Sequence, residues 1–332
     1  NLIRNHYVEE PNPSRTMEGA FKGLVDSLDV LSSYLDQEAA IRYRQQSQHR
    51  LYEPGLILYK SYGSFPQVLA VVANSPAEQQ GFKVGDLIGA IDHQSTLTMS
   101  MLEANLKLKS NQATRVNLKV IRRNETLEVK VGRKLLYEKP FSYSLQKDTS
   151  GLLKIHHFYS PCLTLLQQEI VPRLAHQKKP LIVDLRNCWE GEIEKAQQFI
   201  NIFIQDEKIG YLEKKDNTRQ ILSCSRPAEL AELPLIIWTN QATLGPAEMV
   251  AAVLQAKKRA KILGLSTLGM VAEQSYFDLN DSSALVLVSG VFHLPSGYRL
   301  WKQGLKPDIE LKREEQGFEA YLHKTLSYLQ RM

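Results

Sequence analysis

Residues 233–265 read LPLIIWTNQATLGPAEMVAAVLQAKKRAKILGL, and the order of patterns within them sets the fold class. An apolar run of strand length reaches Thr239, a polar turn follows, Pro246 opens an apolar helix, and a second apolar run closes at Leu265. Strand, helix and strand in that order form the repeating unit of a layered α/β core. The turn before the helix is also where many hydrolases keep a nucleophile. Here the helix opens with Gly245 and Pro246, followed by Glu248. Glycine as cap, proline at the first helical position and glutamate at the third make a sound helix start that carries no nucleophile.

The same alternation extends outward. Apolar stretches LLKIHHF (152–158), PLIVDLR (180–186) and ALVLVS (284–289) read as strands. CLTLLQQEIVPRLAHQ (162–177), EIEKAQQFINIFIQ (192–205) and FEAYLHKTLSYLQ (318–330) read as amphipathic helices. Upstream, Met17, Ala20, Phe21, Leu24 and Leu28 recur at helical spacing, which predicts a helical arm with one buried face. Between about 51 and 134 the pattern changes to short strands with turn punctuation: GLILYKSYG, QVLAVVANSPAEQQGFKVGDLIGAID and TRVNLKVIRRNETLEVKVGR. The expected organisation is a helical arm (1–50), a small β module (51–134), an α/β core (135–312) and a C-terminal helix (313–332).

Bulk properties agree with a multi-domain globular chain. At 332 residues and 43% hydrophobic, it can bury two or three cores. It holds no run of about 18 apolar residues of the kind that spans a membrane, and a chain starting at Asn1 is expected to be a mature form. The net charge is only +5, and the densest basic run, AKKRAK at 256–261, falls where a helix ends. Cations there complement the helix dipole, so nucleic acid is not an expected partner. Cys162, Cys188 and Cys224 are far apart without a C-x-x-C pair, which makes a zinc site or disulfide framework unexpected and leaves one bridge open. No metal or cofactor is expected.

Within the β module, Ser75-Pro76 starts a short helix, Gly81 ends it, and Gly85-Asp86 leads into an apolar strand. This stretch resembles the most specific part of a PDZ domain. The resemblance implies that an extended peptide adds to a sheet edge while a glycine-containing loop, matching Gly55, Leu56, Ile57 and Leu58, holds its terminal carboxylate. Ile57 stands where such loops commonly carry a second glycine.

Taken in order, GLVDSLDVLSSYLD, the PDZ-like module, DLRNCWEG, NQATLGPAE, GLSTLGM and LPSGYRLWKQGLKPDI resemble a carboxyl-terminal processing peptidase, or tail-specific protease, from about Met17 to Ile309. The resemblance implies a crotonase-like α/β core with the PDZ inserted over a peptide tunnel, helical N- and C-terminal arms, and a bacterial, periplasmic or otherwise extracytoplasmic place of work. It also locates the catalytic groups. The serine of a pattern like N-x-G-S-A-S-A-S-E falls on Gly245, and the lysine of G-x-x-T-x-G-K-G falls on Met270. The glutamine that follows the lysine by four residues persists as Gln274. One oxyanion donor, the N–H after the serine, falls on Pro246, which has none. The other belongs to a glycine pair whose first member is replaced by Glu190.

Nucleophile, base and oxyanion donor are thus all replaced, and the resemblance implies a pseudoprotease that binds peptides without cutting them. The alternative is an active peptidase with relocated groups, Thr243 or Cys188 serving as nucleophile and Ser266 lying near the vacated base; such a nucleophile needs a base within about 3 Å. His156 and His157 are expected on opposite faces of a strand. Trp189 either fills the emptied pocket or grips a peptide side chain. Expected partners are a protein C terminus, an active peptidase, or a second copy through the terminal helices. The stripe Phe318, Tyr321, Leu322, Leu326 and Leu329 serves that dimer or packs on its own core.

Overall fold

The computed structural model describes residues 2–10, 12–46, 51–146, 150–177, 179–312, 314–315 and 317–330. Its Cα positions divide into two units, residues 1–136 with 274–288, and residues 137–273 with 289–332.

The first unit opens with α1 (Leu2–His6), α2 (Pro13–Asp26), β1 (Ser33–Leu35) and α3 (Gln37–Gln46). There follow β2 (Leu56–Tyr59), β3 (Gln67–Val71), α4 (Pro76–Gln79), β4 (Leu87–Ile91), β5 (Gln94–Ser95), α5 (Met101–Leu108), β6 (Arg115–Arg122) and β7 (Glu125–Gly132). The sheet runs β2-β3-β4-β6-β7, antiparallel throughout, with β2 at one edge. Its strands have one buried face: Val116, Leu118 and Val120 of β6 point into a core with Leu58, Val68 and Ile88. That two-residue period is what a half-buried strand requires. The Ser75 hydroxyl caps α4 by accepting the Glu78 N–H, Pro76 sits in its first turn, and Gly81 leaves it at φ +75°. Buried Asp86 takes the Arg122 guanidinium through both carboxylate oxygens at 2.6 Å.

The arm differs from expectation. Met17, Phe21, Leu24 and Leu28 are exposed, all but Phe21 by more than half, and among the described residues of α2 Val25 is the buried one. Charge sets the orientation: Lys22 pairs with Glu18, Asp36 and the buried Glu103 of α5. The inward face is therefore the one carrying the lysine, and the apolar stripe turns to solvent.

The second unit contains β8 (Phe141–Leu145), β9 (Gly151–Ile155), α6 (Cys162–Glu169), α7 (Val171–Gln177), β10 (Leu181–Asp184), α8 (Ile193–Asn201), β11 (Asp206–Lys214), β12 (Arg219–Cys224) and β13 (Leu235–Thr239). After them come α9 (Pro246–Ala256), β14 (Lys261–Gly264), β17 (Ile309–Glu310) and α10 (Phe318–Leu329), while β15 (Ala272–Asp278) and β16 (Ala284–His293) are each divided between the two units. Its main sheet has the order β17-β14-β13-β10-β9-β8, parallel except for β8. Helix α9 is buried from Ala247 to Leu254, as an all-round apolar helix must be. The helical stretch at 162–177 breaks at Ile170 into α6 and α7, with Pro172 in the first turn of the second, where its missing N–H costs least. β9 ends at Ile155, so His156 and His157 lie beyond the strand rather than on its two faces.

The basic run after α9 is spent on structure: Lys257 pairs with Asp206, Lys261 with Asp308, and Arg259 donates to the Phe203 and Leu230 carbonyls. The stripe of α10 covers its own core, with Tyr321 fully buried against Trp238 and donating to the Thr239 carbonyl at 2.7 Å. The three cysteines are buried free thiols.

Candidate functional site

Because β9, β10, β13 and β14 are parallel, their carboxyl ends lie along one edge, where open α/β sheets place their ligands. Four connections leave that edge, and they are tied together. Asn187 and Asn240 exchange hydrogen bonds, N–H to Oδ1 at 3.1 Å and Nδ2 to Oδ1 at 2.7 Å. Leu244 N–H donates to the Cys188 carbonyl, and Phe158 N–H to the Glu190 carbonyl. At Gly191, φ is +146°, and a Cβ would stand 2.4 Å from that of Phe158, so only glycine fits.

Gly245 caps α9 at φ +55°, ψ −122°. A Cβ built there would meet the Met270 carbonyl at 3.7 Å and that of Trp189 at 3.9 Å, both ordinary contacts. The turn before α9, the 265–270 loop and the 187–191 loop therefore converge on one point that has room for a side chain. The first two are held together by Glu248. Its buried carboxylate accepts N–H bonds from Gly269 (2.6 Å) and Met270 (2.8 Å), the Thr267 hydroxyl, and the Gly245 N–H of its own helix start. Burial pushes its pKa up to about 7, against the pull of those donors.

The remaining sequence candidates separate. Thr243 is fully buried, its hydroxyl donating to the Leu185 carbonyl at 2.9 Å and accepting the Asn240 N–H. Cys188 is fully buried, and burial drives its thiol far above the usual range. Ser266 lies with Gln241 and Lys312 in a depression of about 630 Å³ whose lining excludes Gly245 and Met270. Trp189 and Glu190 are partly buried. His156 stacks on Tyr137 at 3.9 Å, and burial lowers its pKa to about 3, so its ring is neutral. In the first unit, Gln274 donates its side-chain amide to the Leu31 carbonyl at 2.8 Å.

Gly55 sits at φ +90°, where a Cβ would lie 2.3 Å from that of Ser75. Leu56, Ile57 and Leu58 continue into β2, and all three are buried. Among the described residues, the strand they form has a partner, β3, on one side only. Among the described residues no metal-binding group of three or more His, Cys, Asp or Glu is present. No helix among them is long and apolar enough to cross a membrane.

Comparison with known proteins identifies the domains. The model of peptidase family S41 matches residues 149–311, and a PDZ domain model matches 67–122. The chain carries a peptidase family S41 domain and a PDZ domain. A carboxy-terminal-processing protease of Bartonella bacilliformis is 26% identical over 318 residues, covering 94% of this chain and 73% of the relative. A CtpA-like serine protease of Staphylococcus haemolyticus is 23% identical over 312 residues, 93% of this chain and 62% of the relative, so the chain spans under two thirds of that protein. A solved photosystem II D1 C-terminal processing protease has the same fold, with a TM-score of 0.79 at 20% identity, over 96% of this chain and 87% of that one.

In the S41 domain the loop edge rests on a charge cluster that sequence reading did not identify. Asp184, at the end of β10, pairs with Arg186 at 2.8 Å and Lys154 at 3.3 Å. Burial opposes its ionisation, but the two cations outweigh it and hold the carboxyl below the usual range. Arg186 in turn lies over the rings of Trp238 and Tyr321. The D-L-R signal was visible in the sequence, whereas Lys154 comes from a strand thirty residues away.

Proposed function

We propose that this S41 chain is a pseudoprotease, a scaffold that binds protein C termini and does not hydrolyse them. The observation that carries the reading is the convergence on Gly245. The point where the family pattern puts its serine lies in contact with the backbone of Met270, where the pattern puts its lysine. Glycine offers no hydroxyl there, and a thioether takes no proton at neutral pH. Pro246 supplies no N–H to an oxyanion, and Glu190 stands at the place of the other donor. Loss of one such donor typically costs a factor of about 10²–10³ in rate.

The competing reading, a peptidase with displaced groups, finds little support. A nucleophile must be exposed and have a base in reach. Thr243 has committed its hydroxyl to two backbone groups, and the Cys188 thiol is both buried and protonated.

Binding is assigned to the PDZ module, whose edge strand β2 follows the Gly55 turn. The peptide adds to that edge with its carboxylate at the N–H groups of 55–58. We place this work outside the cytoplasm of a bacterium, as the resemblance implies, with an active peptidase as one partner class. A second copy is assigned to the exposed stripe of α2, since α10 spends its stripe on its own core. The test is chemical. The intact protein is treated with a fluorophosphonate and with a thiol-reactive probe under native conditions, then read by mass spectrometry. No adduct on any serine, threonine or Cys188 is expected. A stoichiometric adduct on Thr243 or Cys188 overturns the proposal.

A further inference from the structure

Where β2 runs out, the first unit contains a cavity of about 730 Å³, within the range of sites that hold ligands. One wall is α2, through Gly19, Lys22, Gly23 and Asp26; the others are residues 60–63 and 97–101. Its two lysines are already engaged. Lys22 is held by Glu18, Asp36 and Glu103 at 2.9, 3.5 and 3.2 Å. Lys60, buried, donates to the carbonyls of Thr96 (2.7 Å), Leu97 (2.9 Å) and Met99. Asp29, also in the wall, accepts the N–H groups of Leu31 and Ser32.

Asp26 differs from these. Among the described residues its half-buried carboxyl makes no hydrogen bond or ion pair, and Lys60, the cation that most favours its ionisation, is tied to backbone. Behind Lys22, Glu103 Oε2 is buried without a partner. The cavity thus presents, at Asp26 in its wall, a carboxyl that no donor among the described residues meets. It also has room: a Cβ added to Gly19 or Gly23 meets nothing within 4 Å.

We propose that this cavity receives a lysine or arginine side chain of a peptide added to β2, with Asp26 as its counter-ion. The inference rests on the PDZ reading and adds a sequence preference to it. A ligand antiparallel to β2, with its carboxylate at Gly55, advances ~3.3 Å per residue. The residue that comes beside Lys60 is then roughly the fifth or sixth from its C terminus. A cationic chain there supplies the donors that Asp26 lacks, and its methylene stem covers the apolar wall at Leu97 and Met99.

The test uses the full chain and two labelled decapeptides of alanine and serine ending in valine, with lysine or glutamine sixth from the end, read by fluorescence anisotropy. The lysine peptide is expected to bind roughly fivefold or more tightly, and Asp26→Asn brings the ratio near one without weakening the glutamine peptide. Gly19→Leu/Gly23→Leu fills the cavity from a helix that gains propensity, so it weakens the lysine peptide while Tm holds or rises. Equal binding of the two peptides, or a preference that survives Asp26→Asn, overturns this inference and leaves the PDZ reading standing. If neither peptide binds, and an amidated control behaves the same, the PDZ reading fails and this inference with it.

Discussion

At the scale of single residues, Glu248 explains how the turn at Gly245 keeps its form whether or not, as proposed, it has lost its chemistry. It joins the helix start to the 267–270 loop through backbone donors and the Thr267 hydroxyl, so the link does not depend on the side chain at 270. Its pKa rises from 4.5 to about 7 on folding. The folded state therefore binds the proton more tightly, and the stability this group contributes is complete below about pH 4.5 and lost as pH rises through 7. The linked effect is on the order of 3 kcal/mol. Glu248→Gln, which does not titrate, is expected to flatten the stability slope between pH 5 and 7.5 in urea denaturation. It also leaves a backbone N–H facing an amide NH₂, at a cost of about 1–3 kcal/mol. An unchanged slope would locate the titration elsewhere. Gly245→Ser adds a hydroxyl where there is space but at φ +55°, ψ −122°, so thermal unfolding is expected to show a loss of about 1–3 kcal/mol with no gain of peptidase activity. Combining it with Pro246→Ala, Met270→Lys and Glu190→Gly restores every group at once, and fluorophosphonate labelling at 245 is then expected.

At the scale of elements, the sequence was most legible where local rules decide. Ser75, Pro76, Gly81 and Asp86 marked their helix and strand correctly because caps and turns involve near neighbours. The stripe on α2 was visible as a period, but period does not say which face is covered; Lys22 and Glu103, eighty-one residues apart, decided that. The capping role of Glu248 could be read from its place in the helix, whereas its bonds to Thr267, Gly269 and Met270 depend on how strands bring two loops together. The strand at 152–158 was read too long because HHF continues an apolar pattern that ends at Ile155. Two element-level predictions follow from buried polar pairs. Asp86→Ala strands the Arg122 guanidinium, which is partly exposed, and is expected to destabilise the PDZ module by about 1–3 kcal/mol, read by limited proteolysis of residues 51–134. Thr325→Val leaves the buried Trp238 Nε1–H, now bonded at 2.7 Å, without its acceptor. A loss of about 1–3 kcal/mol and a changed tryptophan emission are expected.

At the scale of the whole molecule, the proposed function gives each part of the chain a place for a peptide: an edge strand after a glycine turn in one unit, and converging loops at a sheet's carboxyl edge in the other. The exposed Met17, Phe21, Leu24 and Leu28 are the surface assigned to a second copy. Sedimentation velocity is expected to show self-association that Leu24→Glu abolishes without lowering Tm. The most direct test of the central claim is one experiment on the pure chain. Peptides with free and amidated C termini are incubated with it, binding is read by anisotropy, and the recovered peptides are weighed by mass spectrometry. The account predicts binding that requires the free carboxylate and peptides recovered intact. Cleavage that survives repurification and is lost in Thr243→Val or Cys188→Ala would contradict it.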